Sequence, residues 1–218
     1  MVKTEHSTQE IHRLCTITPV IPVLVVDDVK HAAPLAAALV AGGLTVLEVT
    51  LRTAVALEVI KEMAQVDGCI VGAGTLITET NLKDALAAGA KFGVSPGATN
   101  NLIAACEATK LPFLPASATV SEAMRLAERG YVVQKFFPAE ALGGPAALQA
   151  ISEPLPHVSF CPTGGISIKN AKDYLSLSNT LCVGGSWVAP KALLKKQAWS
   201  QITSLASEAM ALKPTKKC

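Results

Sequence analysis

One of the most apolar and aromatic stretches of the chain, "YVVQKFFP" (131–138), carries a lysine in its middle and ends on proline. Removing an ammonium group from water is costly unless it is paired or neutralised. Lys135 therefore either snorkels to solvent, guards an edge strand, or does chemistry. In an apolar pocket a lysine is driven towards the neutral amine, which attacks a ketone to form a Schiff base. The protonated imine is an electron sink, so a bond one carbon away can break to an enamine. Such a reaction needs a general acid/base within hydrogen-bond reach. Glu48, in "LTVLEVT" (44–50), is the one carboxylate placed inside an apolar run on the same kind of face. The alternative for it is a structural ion pair with Lys135.

These two groups must be positioned by a repeated frame. β-rich runs occur at 19–26, 44–50, 69–74, 91–96, 111–117, 131–137, 157–165 and 180–185, starting 20 to 26 residues apart. Between most of them lie alanine- and leucine-rich stretches with helical spacing, such as "VKHAAPLAAALVAGG" and "TVSEAMRLAERG". Glycine falls at or near the end of most of these stretches, as at helix C-caps. Apolar strands alternating with helices indicate parallel strands covered on both faces. Eight repeats predict a (β/α)8 barrel, with an open doubly wound sheet as the competing arrangement. The latter normally carries a Gly-rich fingerprint after its first strand, and "VVDDVK" has no glycine. The Ser-x-x-Glu pattern of "STQEIHRL" predicts a capping box and a short N-terminal helix within residues 1–16. Residues 1–218 read as a single barrel domain, with 213–218 as a frayed tail.

In such a barrel the active site lies at the C-terminal ends of the strands. Those ends supply Glu48, Thr50 and Arg52 from the second run, Thr75 from the third, and Ser95-Pro96-Gly97 from the fourth. Lys135 comes from the sixth, Thr163-Gly164-Gly165 from the seventh, and Gly184-Gly185-Ser186 from the eighth. Period-2 alternation puts Val133, Lys135 and Phe137 on one face, and Val46, Glu48 and Thr50 on one face, so a barrel interior would hold Lys135 and Glu48 together. Arg52 would clamp a carboxylate in bidentate fashion, or else stand in a solvated loop. The two Gly-Gly pairs would offer backbone N–H groups to a phosphate, or else be turns. Thr75 alternatively caps the next helix, and Asp28 is read as an N-cap rather than a metal ligand. None of the four histidines falls at a strand's C-terminal end, and no metal set is visible.

Composition excludes other classes. The formal net charge is +2 and there are nine aromatic residues (two Trp, two Tyr, five Phe), so neither a polyanion-binding field nor a base-stacking platform is present. The longest mostly apolar stretch, 32–47, contains Pro34, Gly42 and Gly43 and falls short of the ~20 residues a spanning helix needs. The N-terminus has no apolar core of a signal peptide, which predicts a cytoplasmic location. The six cysteines include no C-x-x-C pair; the internal ones are expected as buried thiols and Cys218 as exposed.

The motifs "VLEVTLRT" (46–53), "VGAGTL" (71–76), "VSPGAT" (94–99), "KFFPAE" (135–140), "CPTGGIS" (161–167) and "CVGGSW" (182–187) together resemble the 2-keto-3-deoxy-6-phosphogluconate aldolases. These are class I lyases of the Entner–Doudoroff pathway, and the likeness runs in order from about residue 16 to residue 190. The resemblance implies that Lys135 is the Schiff-base lysine and Glu48 the general acid/base. It implies that Arg52 and Thr75 hold the pyruvate carboxylate, that Pro96 and Thr163 line the pocket, and that Gly164, Gly165 and Ser186 bind phosphate, with the Gly185–Ser186 amides beside them. It further implies a homotrimer of (β/α)8 barrels, a phosphorylated keto-acid substrate, and no metal or other cofactor. Main activity on 4-hydroxy-2-oxoglutarate and a non-catalytic phosphosugar-binding barrel are the alternatives. One departure stands out: after the fifth run the family usually reads Pro-Gly, whereas here "PASATVSE" places Ala116, which fits only where φ is negative or at some strain.

Overall fold

The computed structural model describes the backbone of residues 2–212 and the side chains of residues 6–212. Its strands are β1 (Val20–Leu24), β2 (Val46–Thr50), β3 (Ile70–Gly74), β4 (Gly93–Val94), β5 (Phe113–Leu114), β6 (Ala116–Ser117), β7 (Val133–Phe136), β8 (Ser159–Pro162) and β9 (Val183–Gly185). All their pairings are parallel, in the orders β5-β4-β3-β2-β1-β9 and β6-β7-β8. β5 and β6 are two halves of the fifth barrel strand, interrupted at Pro115, which has no N–H to donate but whose carbonyl accepts from the Lys135 amide at 2.9 Å. Parallel bridges from Phe160 to Thr180 and from Thr163 to Gly184 join β8 to the β9 segment and close the ring. The result is a (β/α)8 barrel rather than an open sheet.

The helices are α1 (Val2–Ile17), α2 (Ala32–Ala41), α3 (Ala56–Met63), α4 (Glu79–Ala87), α5 (Asn100–Thr109), α6 (Val120–Glu128), α7 (Gly144–Ser152), α8 (Ala171–Leu175), α9 (Lys191–Lys195) and α10 (Trp199–Met210). α2 and α4 run out into glycines with positive φ (Gly43, 94°; Gly89, 95°), whereas α5 ends on Lys110 in the same left-handed region at 61°. Asp28 accepts from the Lys30 amide at 3.0 Å and so caps the 3-10 turn Val29–His31. Thr78 with Asn81, and Thr119 with Glu122, form capping boxes for α4 and α6.

Apolar burial falls into two layers. The larger packs helices on the outside of the barrel wall: Leu35 and Leu39 of α2, Val59 and Ile60 of α3, and Ile202 of α10 are completely buried there. The smaller fills the barrel interior with Ile21, Val46, Phe92, Val94, Leu114, Val133, Cys161 and Cys182. Ile11, Leu14 and Cys15 of α1 join them. α1 therefore plugs the N-terminal mouth, leaving polar side chains to occupy the other end. Among the described residues, no helix is long and apolar enough to cross a membrane.

The N-terminal helix differs from the expectation. Ser7 does not cap it: the helix already runs from Val2, and the buried Ser7 hydroxyl accepts a 3.1 Å hydrogen bond from the Phe113 amide of β5. Thr8 donates at 2.7 Å to the Gly130 carbonyl before β7. The Ser-x-x-Glu spacing therefore does not mark a helix start here: Ser7 makes a tertiary tie, and Glu10 pairs with Arg13 on the same helix. Of the cysteines, Cys15, Cys106, Cys161 and Cys182 are buried free thiols and Cys69 is only half-buried. Cys218 and the tail 213–218 lie outside the described residues.

Ser7→Ala should leave the Phe113 amide without its acceptor, costing about 1–3 kcal/mol for an unsatisfied buried donor. Urea denaturation should show a lower midpoint at unchanged slope. An unchanged midpoint would mean that α1 is held by its apolar face alone.

Candidate active site

The site begins with two strands that carry charge into an apolar barrel. β2 is buried along its whole length, and its inward positions run Val46, Glu48, Thr50 from floor to mouth. β7 is likewise buried and turns Val133 and then Lys135 inward. Lys135 Nζ lies 3.3 Å from Glu48 Oε1, with side-chain exposures of 7% and 4%. The carboxylate reaches that point because β3 has glycine beside it. A Cβ on Gly74 would lie 2.2 Å from Glu48 Oε1. The Phe137 ring stands 5.4 Å from the ammonium, close enough for a cation–π contact.

A buried ion pair is a poor stabilising device, because desolvating both groups cancels much of their attraction. This pair is also sparsely bonded. An ammonium has three donors, and Glu48 is its one protein hydrogen-bond partner among the described residues. The arrangement leaves Nζ free to take another partner beside a carboxylate that can accept its proton. On the neighbouring strand Cys161 is in register with Lys135, so a buried thiol lies beside the lysine on the inner face.

Around this pair stand the other polar residues of the strand ends. Thr50 donates to the Leu24 carbonyl at 2.8 Å and accepts from Arg52 Nε at 3.1 Å. That bond steers an exposed guanidinium back towards the barrel mouth. No carboxylate pairs with Arg52 among the described residues, so its remaining donors are open to an anion. Thr75 does not cap α4, which Thr78 does. It follows Gly74 with φ 64°, a conformation rare for a β-branched residue and characteristic of functional sites. Pro96 is half-buried just beyond the fully buried Ser95 at the end of β4. Ala116 is buried within β6 and is not among the residues of positive φ, so alanine stands there without backbone strain.

The opposite side of the mouth is built from backbone. Thr163 is buried with its side chain over β9, where a Cβ on Gly184 would fall 2.2 Å from Thr163 Oγ1. The turn that follows has positive φ at Gly164 (105°) and Gly165 (78°). Each of its carbonyls is held from behind: Thr163 O by the Ala139 amide at 2.8 Å, Gly164 O by the Glu140 amide at 3.1 Å, and Gly165 O by Asn170 Nδ2 at 3.2 Å. In a trans peptide the N–H points away from the C=O. The amides of Gly164, Gly165 and Ile166 are therefore aimed away from those partners, and such a run of N–H groups makes an anion-binding concavity. Gly185 is buried next to it and Ser186 is exposed at the end of β9.

The structure thus brings Lys135 and Glu48 into contact, and sets Arg52, Thr75, Pro96, Thr163, the glycine turn and Ser186 at the strand ends around them. Sequence reasoning missed the clearance at Gly74, the Phe137 ring over the ammonium, and the Thr50 hydroxyl behind Arg52. The glycine in "VGAGTL" was the available signal for the first. Among the described residues there is no cluster of three or more His, Cys, Asp or Glu side chains arranged to hold a metal ion.

A family model for KDPG and KHG aldolases (KDPG, 2-keto-3-deoxy-6-phosphogluconate) matches residues 11–205. The 2-dehydro-3-deoxy-phosphogluconate aldolase of Pseudoalteromonas atlantica is 52% identical over 194 residues, covering 88% of this chain and 90% of that relative. The 2-keto-3-deoxy-6-phosphogluconate aldolase of Zymomonas mobilis, solved with 3-phosphoglycerate, superposes with a TM-score of 0.92 at 46% identity, over 95% of this chain and 98% of the other. The KDPG aldolase of Legionella pneumophila, solved with pyruvate captured as a covalent carbinolamine, gives a TM-score of 0.89 at 46% identity, over 91% and 97%. With so much of its length matched by one family model and by relatives near half-identical to it, the chain belongs to the KDPG and KHG aldolase family.

Proposed function

We propose that the protein is a class I aldolase that cleaves 2-dehydro-3-deoxy-6-phosphogluconate to pyruvate and D-glyceraldehyde 3-phosphate in the Entner–Doudoroff pathway. The observation that carries this reading is the buried contact of 3.3 Å between Lys135 Nζ and Glu48 Oε1 at the C-terminal end of the barrel. Glu48 is placed to accept a proton from the ammonium. The neutral amine adds to the C2 ketone, and Glu48 returns the proton to the carbinolamine hydroxyl, which leaves as water to give a protonated imine. Glu48 then takes the proton of the C4 hydroxyl as the C3–C4 bond breaks. The bonding pair moves into the imine, leaving an enamine and the aldehyde. Protonation at C3 and hydrolysis of the imine release pyruvate and regenerate Lys135.

The other groups fall into place around that axis. Arg52 and Thr75 hold the carboxylate at C1, Pro96 and Thr163 line the pocket, and the Gly164–Gly165 turn with Gly185 and Ser186 receives the phosphate. No metal is needed, since the imine is the electron sink. The captured carbinolamine in the Legionella relative and the phosphorylated acid in the Zymomonas relative support the two ends of this assignment. By the same resemblance the protein is a homotrimer; we further infer a cytoplasmic location and a single barrel domain. Because the family model spans both KDPG and KHG aldolases, 4-hydroxy-2-oxoglutarate is a second substrate to test.

Borohydride with pyruvate should add an irreversible lactyl-sized mass at Lys135, read by peptide mass spectrometry, and Lys135→Ala should lose both labelling and cleavage. Labelling at Lys61 or Lys91 instead would overturn the assignment. Chelators should leave the rate unchanged, whereas a loss restored by zinc would place the enzyme in the metal-dependent class.

Glu48→Gln keeps the shape and removes the proton acceptor, so kcat should fall by roughly 10²–10⁴ while KM changes far less. Survival of kcat would reduce Glu48 to a charge partner for Lys135.

Ser186→Ala should cost cleavage of the phosphorylated substrate roughly ten- to hundredfold in kcat/KM, the ~1.5–3 kcal/mol of a hydrogen bond to a charged group. Cleavage of 4-hydroxy-2-oxoglutarate by the same variant should be nearly unaffected. Equal losses on both would put the phosphate elsewhere.

A further inference from the structure

Behind the glycine turn lies a polar pair that the proposed chemistry does not use. Five residues after Lys135 the chain makes the 3-10 turn Glu140–Leu142. The Glu140 backbone amide holds the Gly164 carbonyl, and the Glu140 side chain then runs directly beneath Gly165. A Cβ built on Gly165 would stand 2.6 Å from Glu140 Cγ, so the methylene is the surface on which that glycine rests. The carboxylate at its tip accepts a hydrogen bond from the Tyr174 hydroxyl of α8. Tyr174 itself is completely buried. The same tip lies near the first turn of α7: a Cβ on Gly144 would be 3.2 Å from both Glu140 Oε1 and the Tyr174 hydroxyl. A carboxylate at a helix N-terminus is favourably placed. Burial, and then the bond to Glu140, push the Tyr174 phenol up, so it remains a donor.

The position of this pair has a consequence for specificity. Amides that grip an anion do so only if their peptide planes are fixed beforehand, because a displacement of about 1 Å in a binding group can cost roughly a hundredfold. Of the peptides in the turn, two are held through the segment Ala139–Glu140 and one through Asn170. Glu140 touches the turn with both its backbone and its side chain, and Tyr174 fixes that side chain to the α8 wall of the barrel. Glu140 and Lys135 also share one short segment, so the support ties the anion-binding turn to the strand that carries the amine. We propose that Glu140 and Tyr174 are positioning residues that hold the Thr163–Gly165 turn in the geometry that selects phosphorylated over unphosphorylated substrates. This rests on the assignment of that turn to the phosphate.

The test compares Tyr174→Phe, Glu140→Ala and Glu140→Gln with Ser186→Ala on 2-dehydro-3-deoxy-6-phosphogluconate and on 4-hydroxy-2-oxoglutarate, with pyruvate–borohydride trapping as a third readout. Tyr174→Phe and Glu140→Ala should raise KM for the phosphorylated substrate roughly ten- to hundredfold with little change in kcat. Rates on the unphosphorylated substrate and trapping of pyruvate should stay close to those of the unaltered enzyme. Glu140→Gln keeps an acceptor for Tyr174 and should recover most of the loss seen with alanine. A merely structural pair would instead lower both activities and trapping together, and that result, or no loss at all, overturns the proposal. Should Glu140→Ala not fold, Tyr174→Phe decides, since it removes one oxygen and keeps the packed ring. Selective loss with Ser186→Ala but not with Tyr174→Phe would refute the positioning role alone. Selectivity in neither would refute the phosphate assignment, and the inference with it.

Discussion

An ammonium and a carboxylate 3.3 Å apart inside a barrel of apolar side chains set the terms for the rest of the molecule. Neither group is tolerable there alone, since removing one partner of such a pair strands a buried charge at a cost of ~3–5 kcal/mol. The pair requires two strands, β2 and β7, that are far apart in the chain and face each other across the barrel. It requires a glycine at position 74 so that the carboxylate can reach inward past β3. It also requires a closed ring, because an open sheet would let water to one side of both groups and remove the environment that distinguishes Lys135 from a surface lysine.

Polarity along the barrel axis follows from that demand. Towards the N-terminal mouth the interior holds Ile21, Val46, Phe92 and Val133, and α1 seals it with Ile11 and Leu14. Ser7 and Thr8 fasten the seal to backbone groups at Phe113 and Gly130. One turn of alternation higher, the inward positions become Glu48 and Lys135, and above those lie Thr50, Thr163 and the loops. The dry floor and the polar rim are one design: the first keeps the pair desolvated from below, and the second leaves it accessible from above.

The two ends of the mouth present hydrogen-bond donors of different kinds. On the Arg52 side the donors are side-chain groups, steered by the Thr50 hydroxyl that is itself tied to Leu24. On the other side they are backbone amides, turned outward because their carbonyls are held by Ala139, Glu140 and Asn170. A guanidinium suits a planar carboxylate, and a curved run of amides suits a tetrahedral anion. The proposed keto-acid carries one of each.

The strands, their parallel order and the lysine that does not belong in an apolar run were legible in the chain, because a two-residue period and apolar burial leave a direct imprint on residue type. Asp28 as a cap was legible for the same reason: its bond is local. Ser7 misled, since the partner of its hydroxyl is a strand amide 106 residues away and no local pattern can report that. Thr75 was legible as a strand-end residue, with a helix cap as the alternative; that it is left-handed there, with Thr78 as the cap, was decided by the loops packed around it. The contact between Lys135 and Glu48 was only a possibility of shared facing until the ring closed. Likewise, nothing in "KFFPAE" or "KDYL" announces that Glu140 and Tyr174 meet beneath Gly165. Sequence by itself determined which residues carry charge, which face of each strand they take, and how often the chain turns. Only the tertiary structure decided which of those faces meet and which backbone groups are turned outward. Those choices depend on closing the barrel and on hydrogen bonds between segments that share no local pattern.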